Sequence, residues 1–374
     1  MRIVLDGRHV RDFGIGTYIR NLVQALAALD NDNQYTLVTM PGETDEFGRL
    51  PKNFAPAEYS HHDLAKIDHL AFPLFLRRFH ADLFHIPLNR VPWFMPHPYI
   101  VTVHDMGRQL LGTGWRNQAS LYRARRGLLN AARVIAVSDS TQRAVEGVVE
   151  IPRERFTRIY NAPDPQFLAH SSTAEERQRQ LDRYQVTYPY ILYAGSVKRQ
   201  KNIPRLIDAF MVVRGELATH PRYHDLRLVI IGDEISQNPA VRRAALQSRA
   251  GQAIRFLGFV PVETLRAFYE SAELFVFPSI REGFGMPPLE AMACGTPVVA
   301  SNVSSLPEVV GDAAVLVSPD NVFEIARGIK DVLLSETMRQ ELILRGYEQV
   351  RRFSWERTAR QVLDTYIDVY RRSR

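Results

Sequence analysis

Two glutamates flank a glycine-containing loop, at a spacing that suits a ligand rich in hydroxyl groups. Glu282 and Glu290 bracket this loop, which contains Gly283 and Gly285. A carboxylate accepts hydrogen bonds from a pair of hydroxyls, such as those of a sugar or a ribose. An ordinary strand–turn–helix unit with surface glutamates would give the same local pattern. The spacing therefore indicates a sugar or ribose site and leaves the structural alternative open.

Three basic residues form a second candidate binding group. Lys198, Arg199 and Lys201 follow an apolar run and precede a helix pattern that starts at Asn202. Cations beside the free amides of a helix N-terminus suit a diphosphate. A basic surface turn is the alternative interpretation.

The elements around the glutamates predict how they are positioned. An apolar run at 274–277 predicts a strand, and Pro287 and Pro288 fit a first helical turn because proline needs no amide partner there. Gly295 is expected to end that helix. We expect Glu282 on the loop and Glu290 in the first helical turn. Farther along, Ser305 and Glu308 predict a capping box, and Asn202 predicts an N-cap.

Strand and helix patterns alternate along all 374 residues, which predicts parallel sheets covered on both faces. This length is large for one core and suggests two domains. The sequence predicts an α/β protein with Rossmann-like domains at 1–167 and 188–353, a polar linker at 168–187 and a helix at 354–374.

Two further residues lie where doubly wound folds bind ligands. Gly16 lies in a glycine-containing turn after the first predicted strand. This turn lacks the third glycine of a dinucleotide fingerprint, because Ile19 occupies that position. Close approach of the Gly16 backbone to a ligand remains plausible. His104 follows a predicted strand at 99–103, at the sheet edge that holds ligands. A lone histidine is more often structural, but this location favours a site.

Composition argues against a disulfide-stabilised, a secreted or a membrane-spanning protein. Hydrophobic residues make up 45% of the chain and charged residues 24%, as in an ordinary soluble protein. Cys294 is the single cysteine, so no internal disulfide is expected and a reducing compartment fits. No signal-peptide pattern or apolar run of ~18 residues is present. These features predict a cytoplasmic protein.

Metal-binding signals are weak. Asp30-Asn31-Asp32 resembles a metal-binding DxD, but it follows a helix pattern and is better interpreted as a helix-ending turn. No HExxH or CxxC pattern occurs. We therefore expect no metal and no other cofactor.

A basic stretch marks a candidate surface. Residues 106–138 contain no acidic residue but six arginines, and the net charge of the chain is +6. A solvated helix face is one interpretation. The other is a surface for anionic lipid or a phosphorylated acceptor, which would make the protein peripheral at the inner face of a membrane.

The segment EGFGMPPLEAMACGTPVVAS, with SSLPE after it, resembles the Glu-x7-Glu signature of retaining glycosyltransferases of family four. Further similarity lies in GIGTYIRNL, VTVHD, YAGSVKRQKN and FSWERT, so the resemblance covers nearly the whole chain. It implies the GT-B fold, with two Rossmann-like domains facing a central cleft and a C-terminal helix that crosses back to the first domain.

The resemblance also implies roles for residues. Catalytic roles fall to Glu282, His104 and Lys201. Donor binding is implied for Gly16, Ser196, Lys198, Arg199, Lys201, Phe284, Gly285, Met286 and Glu290. Glu282 would hold sugar hydroxyls and Glu290 the ribose. The family usually carries an arginine shortly before the lysine, whereas here Ser196 and Gln200 stand nearby, so Lys198 or Arg199 would take that part.

The implied activity is transfer of a hexose from a nucleotide sugar to a hydroxyl of a carbohydrate or lipid-linked acceptor. GDP-mannose is the expected donor. The expected reaction is a step in glycan, polysaccharide or glycolipid synthesis. The alternatives are a UDP-hexose-dependent transferase, a sugar-nucleotide epimerase, a phosphorylase and a non-catalytic nucleotide-sugar sensor. A nucleic-acid-binding protein is a further alternative, but the glutamate pair argues against nucleic acid as a partner.

Overall fold

The structure is a computed structural model that describes residues 1–61, 67–106, 115–169, 172–232, 238–248 and 250–374, without the side chains of 115–117. The chain divides into two compact units. The first comprises Met1–Ala162 and Phe353–Arg374, and the second comprises Pro163–Arg352.

The first unit is built on a parallel sheet of seven strands. The strands are β1 (Arg2–Asp6), β2 (Gln34–Thr39), β3 (Phe54–Glu58), β4 (Leu83–Ile86), β5 (Tyr99–Val103), β6 (Arg133–Ala136) and β7 (Phe156–Arg158). They lie in the order β3-β2-β1-β4-β5-β6-β7. Strand order reverses between the parallel neighbours β1 and β4, so their carboxyl ends form a switch point. The described helices of this unit are Ile15–Leu29, Asp68–Arg77, Trp115–Asn130, Asp139–Glu146 and Trp355–Arg372.

The second unit repeats this plan with six parallel strands. The strands are β8 (Tyr190–Ala194), β9 (Arg227–Ile231), β10 (Ile254–Gly258), β11 (Leu274–Phe277), β12 (Val298–Ser301) and β13 (Val315–Val317). They lie in the order β10-β9-β8-β11-β12-β13, with the switch point between β8 and β11. The described helices are Pro165–Leu168, Ala174–Arg183, Ile203–Glu216, Pro239–Gln247, Val262–Ser271, Met286–Ala293, Leu306–Val310, Val322–Leu334 and Glu336–Val350.

The central strands explain why these sheets form. The β11 sequence LFVF and the β8 sequence YILYA are buried at every position. Continuous apolar runs of this kind are typical of parallel strands that helices cover on both faces. The predicted pair of Rossmann-like parallel sheets is confirmed.

The helix Trp355–Arg372 packs in the first unit against the helix Ile15–Leu29. The Ser354 side chain accepts a hydrogen bond from the Arg357 amide and caps this helix. Tyr366 bonds through its hydroxyl to His85 Nδ1 at 2.6 Å, and both groups are buried. Burial lowers the pKa of His85 to about 3, so this bond joins two neutral groups.

The predicted linker at 168–187 differs from the observed division of the chain, because these residues belong to the second unit. The helix Ala174–Arg183 occupies much of this stretch. A capping box starts it, in which Thr173 and Glu176 exchange side-chain and backbone hydrogen bonds. Polar composition alone does not separate an exposed helix from a linker.

The arginines of the stretch 106–138 do not share one surface. Arg133 is buried and pairs with the Asp368 carboxylate and the Glu154 carbonyl. Arg126 donates to the Trp93 carbonyl at 2.6 Å. Arg108 and the Arg116 side chain lie outside the described residues.

Candidate functional site

A lysine and a glutamate meet at the switch point of the second unit. Lys201 ends the short turn Arg199–Lys201 that follows β8, and Glu282 lies on the loop that follows β11. Lys201 Nζ is 2.6 Å from Glu282 Oε1, and both side chains are mostly buried, at 13% and 12% exposure. The structure thus joins the two residues with predicted catalytic roles in this unit.

The turn that carries Lys201 is fixed to the Glu282 loop by Asn202. Asn202 has a left-handed backbone with φ 60°, and its side-chain amide donates to the carbonyls of Pro278 (3.1 Å) and Pro319 (2.7 Å). Asn202 stands at the predicted N-cap position of the helix Ile203–Glu216, but its side chain makes no capping hydrogen bond. The side chain instead ties two loops together, because its partners lie far away in sequence.

Two serines hold the backbone of the Glu282 loop. Ser304 Oγ accepts from the Glu282 amide at 3.1 Å and donates to the Glu282 carbonyl at 2.6 Å. Ser305 Oγ donates to the Phe284 carbonyl at 2.8 Å. Ser305 caps no helix through its side chain, so the predicted capping box with Glu308 is wrong. The SSLPE turn is visible in the sequence, but the hydrogen bonds of its serines to a distant loop are not.

Gly285 leads from the loop into the helix Met286–Ala293. Its φ of 100° is disfavoured for other residues, and a Cβ there would lie 2.7 Å from Leu306 Cδ2. Pro287 and Pro288 remove two of the amide donors that a first helical turn normally offers. The buried Phe284 precedes this turn. A bound phosphate would therefore depend more on side-chain cations than on this helix end.

Glu290 lies in the second turn of this helix, not in the first turn as predicted, because the helix begins at Met286. The carboxyl is buried, and Oε2 accepts a hydrogen bond from the Tyr269 hydroxyl at 3.4 Å. Burial, together with the nearby Asp164 carboxylate, raises the pKa of Glu290 to about 8. At neutral pH this side chain is mostly protonated and can donate a hydrogen bond.

Three other predicted donor-binding residues of this unit lie between β8 and Lys201 in the chain. Ser196 is buried, and its carbonyl accepts from the Tyr193 hydroxyl at 2.9 Å. Lys198 and Arg199 are exposed on the turn. Only Lys201 of these three basic residues is paired with Glu282 in the described structure.

Gly16 of the first unit is needed for packing. A Cβ at Gly16 would lie 2.1 Å from the Val10 carbonyl oxygen. Its amide donates to the Asp12 carbonyl at 2.7 Å, so the amide expected to face a ligand is already engaged. Close approach of another group does explain the glycine at this position, but that group is the Val10 carbonyl and not a ligand.

His104 packs beside the helix that starts near Gly16. The Tyr18 ring meets the His104 ring edge-on, with the ring centroids 4.5 Å apart. Burial lowers the pKa of His104 to about 4, against the opposing effect of a hydrogen bond to the Pro87 carbonyl. Nε2 is buried and has no hydrogen-bond partner in the described structure. His104 is thus a neutral imidazole at physiological pH.

The Asp30-Asn31-Asp32 segment is a helix-ending turn, as interpreted from sequence. The Asp30 carboxylate accepts from the Tyr35 hydroxyl at 2.5 Å and the Asn33 side chain at 2.7 Å. In the part of the chain that the structure describes, no group of three or more His, Cys, Asp or Glu residues is arranged to hold a metal ion. None of the described helices is long and apolar enough to cross a membrane.

Comparison with known proteins assigns both units to glycosyltransferase families. The family described as "Glycosyl transferases group 1" matches residues 174–349. The family described as "Glycosyltransferase Family 4" matches residues 14–167. Each match coincides with most of one unit.

Two curated relatives from Escherichia coli are similar to this chain. O-antigen chain mannosyltransferase B is 34% identical over 238 residues, which cover 63% of this chain and 61% of that protein. Serotype-specific mannosyltransferase WbdA is 28% identical over 369 residues, which cover 92% of this chain and 44% of that protein. The chain thus matches less than two thirds of the length of these relatives.

A solved structure shows the same fold across the whole chain. The structure of HepE from Anabaena in complex with UDP-glucose matches with a TM-score of 0.78 at 17% identity, covering 98% of this chain and 100% of that one.

Proposed function

Because the chain belongs to the family 4 glycosyltransferases and has their GT-B fold, we propose that it is a mannosyltransferase. It transfers mannose from GDP-mannose to a hydroxyl of a carbohydrate or lipid-linked acceptor, and it retains the anomeric configuration of the sugar. The product belongs to polysaccharide synthesis. The names of the E. coli mannosyltransferases support this sugar and this class of product.

The Lys201–Glu282 pair is the observation that carries the proposal. Its two charges are held at the carboxyl edge of the sheet, where doubly wound folds bind ligands. Lys201 neutralises the charge that develops on the departing diphosphate, and Glu282 accepts hydrogen bonds from hydroxyls of the sugar. Preorganised charges of this kind stabilise a transition state without reorganisation during the reaction.

Two buried groups with shifted pKa values take supporting roles. Protonated Glu290 donates to a ribose oxygen, and its carbonyl oxygen accepts from a ribose hydroxyl. Neutral His104 accepts a hydrogen bond from a sugar hydroxyl through Nε2. Neither group serves as a covalent nucleophile. The leaving phosphate therefore takes the acceptor proton, and the acceptor attacks from the same face that the phosphate leaves.

Calorimetric titration with GDP-mannose, GDP and UDP-glucose tests the choice of donor. We expect GDP-mannose and GDP to bind and UDP-glucose to bind weakly. Binding of UDP-glucose without binding of GDP would overturn the mannosyl assignment but leave the transferase assignment standing. The anomeric configuration of the product, measured by NMR, tests retention.

A UDP-hexose donor is the second candidate, because the fold is shared with a protein whose structure contains UDP-glucose. Glu282 and Glu290 do not select the base, since both contact sugars in the proposed complex. Mass spectrometry of donor incubated without acceptor separates a transferase from an epimerase. Conversion of the donor sugar to its epimer in that experiment would favour the epimerase.

A further inference from the structure

The helix Asp68–Arg77 of the first unit has apolar side chains on its solvent side. Ile67, Leu70 and Leu74 are each more than half exposed. Their spacing of three and four positions places them on one face of the helix. The opposite face is also apolar, because Phe72 and Leu76 are completely buried in the core. An exposed helix face would normally be polar.

Two other segments extend this apolar surface. Phe94 is 55% exposed and Trp93 is 37% exposed, and both lie between β4 and β5. The Trp93 ring lies 6.2 Å from the ring of His69 on the helix Asp68–Arg77. It lies equally far from the ring of Tyr122 on the helix Trp115–Asn130. We call the surface formed by Ile67, Leu70, Leu74, Trp93, Phe94 and Tyr122 the aromatic face.

The exposed charged side chains of the segments that form the aromatic face have one sign. The Arg126 guanidinium lies 5.0 Å from the centre of the Trp93 ring. The exposed arginines in the same stretches are Arg77, Arg78, Arg90, Arg123 and Arg125. The acidic residues of the described ranges 67–106 and 115–138 are buried or half-buried: Asp68, Asp82 and Asp105. These two described ranges therefore present no exposed carboxylate to an anionic partner.

We propose that the aromatic face docks on the surface of an anionic lipid bilayer. Aliphatic side chains would enter the boundary between headgroups and acyl chains, where Trp and Tyr rings are favoured. The arginines would contact lipid phosphates, each contributing electrostatic attraction near the surface. The proposal goes beyond the proposed function, because lipid binding requires neither sugar donor nor acceptor.

A second copy of the chain fits the aromatic face less well than an anionic bilayer does. A two-fold dimer would place the same patch of both copies in contact. The exposed arginines of one copy would then face those of the other, with no exposed carboxylate in these described ranges to compensate them.

Cosedimentation with vesicles tests the proposal. We expect the full chain to bind vesicles made of equal parts phosphatidylcholine and phosphatidylglycerol, and to bind pure phosphatidylcholine less. Binding should weaken as salt rises, because salt screens the arginine contribution. The double variant Leu70→Ser/Leu74→Ser should lower the partition coefficient at least about tenfold. The exposed halves of the two leucines together amount to about one leucine side chain, and burying one leucine is worth more than the 1.4 kcal/mol of a tenfold change.

The matched control is Phe323→Ser/Leu344→Ser. Both residues are more than half exposed on the second unit, so it removes similar apolar surface elsewhere and should bind like the parent. Absence of parent binding at low salt, or equal loss in both double variants, would overturn the proposal. A parent dimer that Leu70→Ser/Leu74→Ser dissociates, seen by light scattering, would also overturn it and assign the face to a protein contact.

Discussion

Lys201 and Glu282 are separated by 81 positions in the chain, yet their charged atoms are 2.6 Å apart. The strands β8 and β11 are neighbours in the sheet, which brings the loops after them together. Because both side chains are mostly buried, their charges are screened less by water than those of a surface pair. The pair is therefore a sensitive place to test the proposed chemistry.

Replacing Lys201 with alanine should lower kcat/KM. Loss of the cation removes stabilisation of the departing diphosphate, worth about 2–4 kcal/mol by analogy with loss of one oxyanion donor. Steady-state kinetics with the donor that binds in calorimetry measures this change. A near-parental kcat/KM in Lys201→Ala would remove Lys201 from the mechanism.

The control for this variant is Lys330→Ala. Lys330 Nζ also lies 2.6 Å from a glutamate, Glu216, but this pair is at the surface. Surface pairs contribute about 0–1 kcal/mol to stability. We expect the control to leave both kcat/KM and thermal stability close to those of the parent.

Replacing Gly285 with alanine should weaken donor binding and lower stability by about 1–3 kcal/mol. Its φ of 100° strains an alanine, and the new Cβ meets Leu306 at 2.7 Å. Gly251→Ala is the matched control, because Gly251 has φ 55° with no atom within 4 Å of the new Cβ. Calorimetry and thermal unfolding distinguish the two variants. If Gly251→Ala weakened donor binding as much as Gly285→Ala, the weaker binding would come from general backbone strain and not from the position of Gly285 in the loop.

The buried Glu290 should make stability fall as pH rises. Its folded pKa of about 8 is above its ordinary value of 4.5, so its stabilising contribution is complete below about pH 4.5 and is lost as pH approaches 8. Between these values the slope for one proton is at most about 1.4 kcal/mol per pH unit. Glu290→Gln keeps a neutral side chain and should lack this contribution.

Thermal unfolding at about pH 5 and about pH 8 measures the difference between parent and Glu290→Gln. The exposed variant Glu341→Gln is the control and should follow the parent. Parallel pH dependence of the parent and Glu290→Gln would show that Glu290 is ionised in the folded protein at neutral pH.

Transferase activity should survive EDTA. The proposed mechanism neutralises the diphosphate with Lys201 and neighbouring cations instead of a metal ion. Initial rates with and without EDTA, after removal of adventitious metal, test this expectation. A strict requirement for Mn²⁺ or Mg²⁺ would mean that the phosphate-binding residues are assigned incorrectly.

The sequence predicts the sheets well because burial on both faces demands continuous apolar runs, and such runs are visible at β8 and β11. The start of the helix at Met286 is equally visible, since Gly285 and the two prolines mark it. These signals are local. They report what each backbone segment can do by itself.

The contacts of polar side chains could not be predicted in this way. Asn202 and Ser305 both precede helices, and their sequence context is the same whether they cap locally or bond to distant loops. The fold decides, because it brings Pro278 to Asn202 and Phe284 to Ser305. Gly16 is ambiguous for the same reason, since a ligand and the Val10 carbonyl exclude a side chain equally well.

The helix Trp355–Arg372 has a consequence for the order of synthesis. It completes the first unit, but the ribosome makes it after the whole second unit. During that interval, on the order of ten seconds or more at about 5–20 residues per second, the nascent chain has no Tyr366 to bond to His85 and no partner helix beside Ile15–Leu29. The second unit can finish folding first, although the first unit begins the chain.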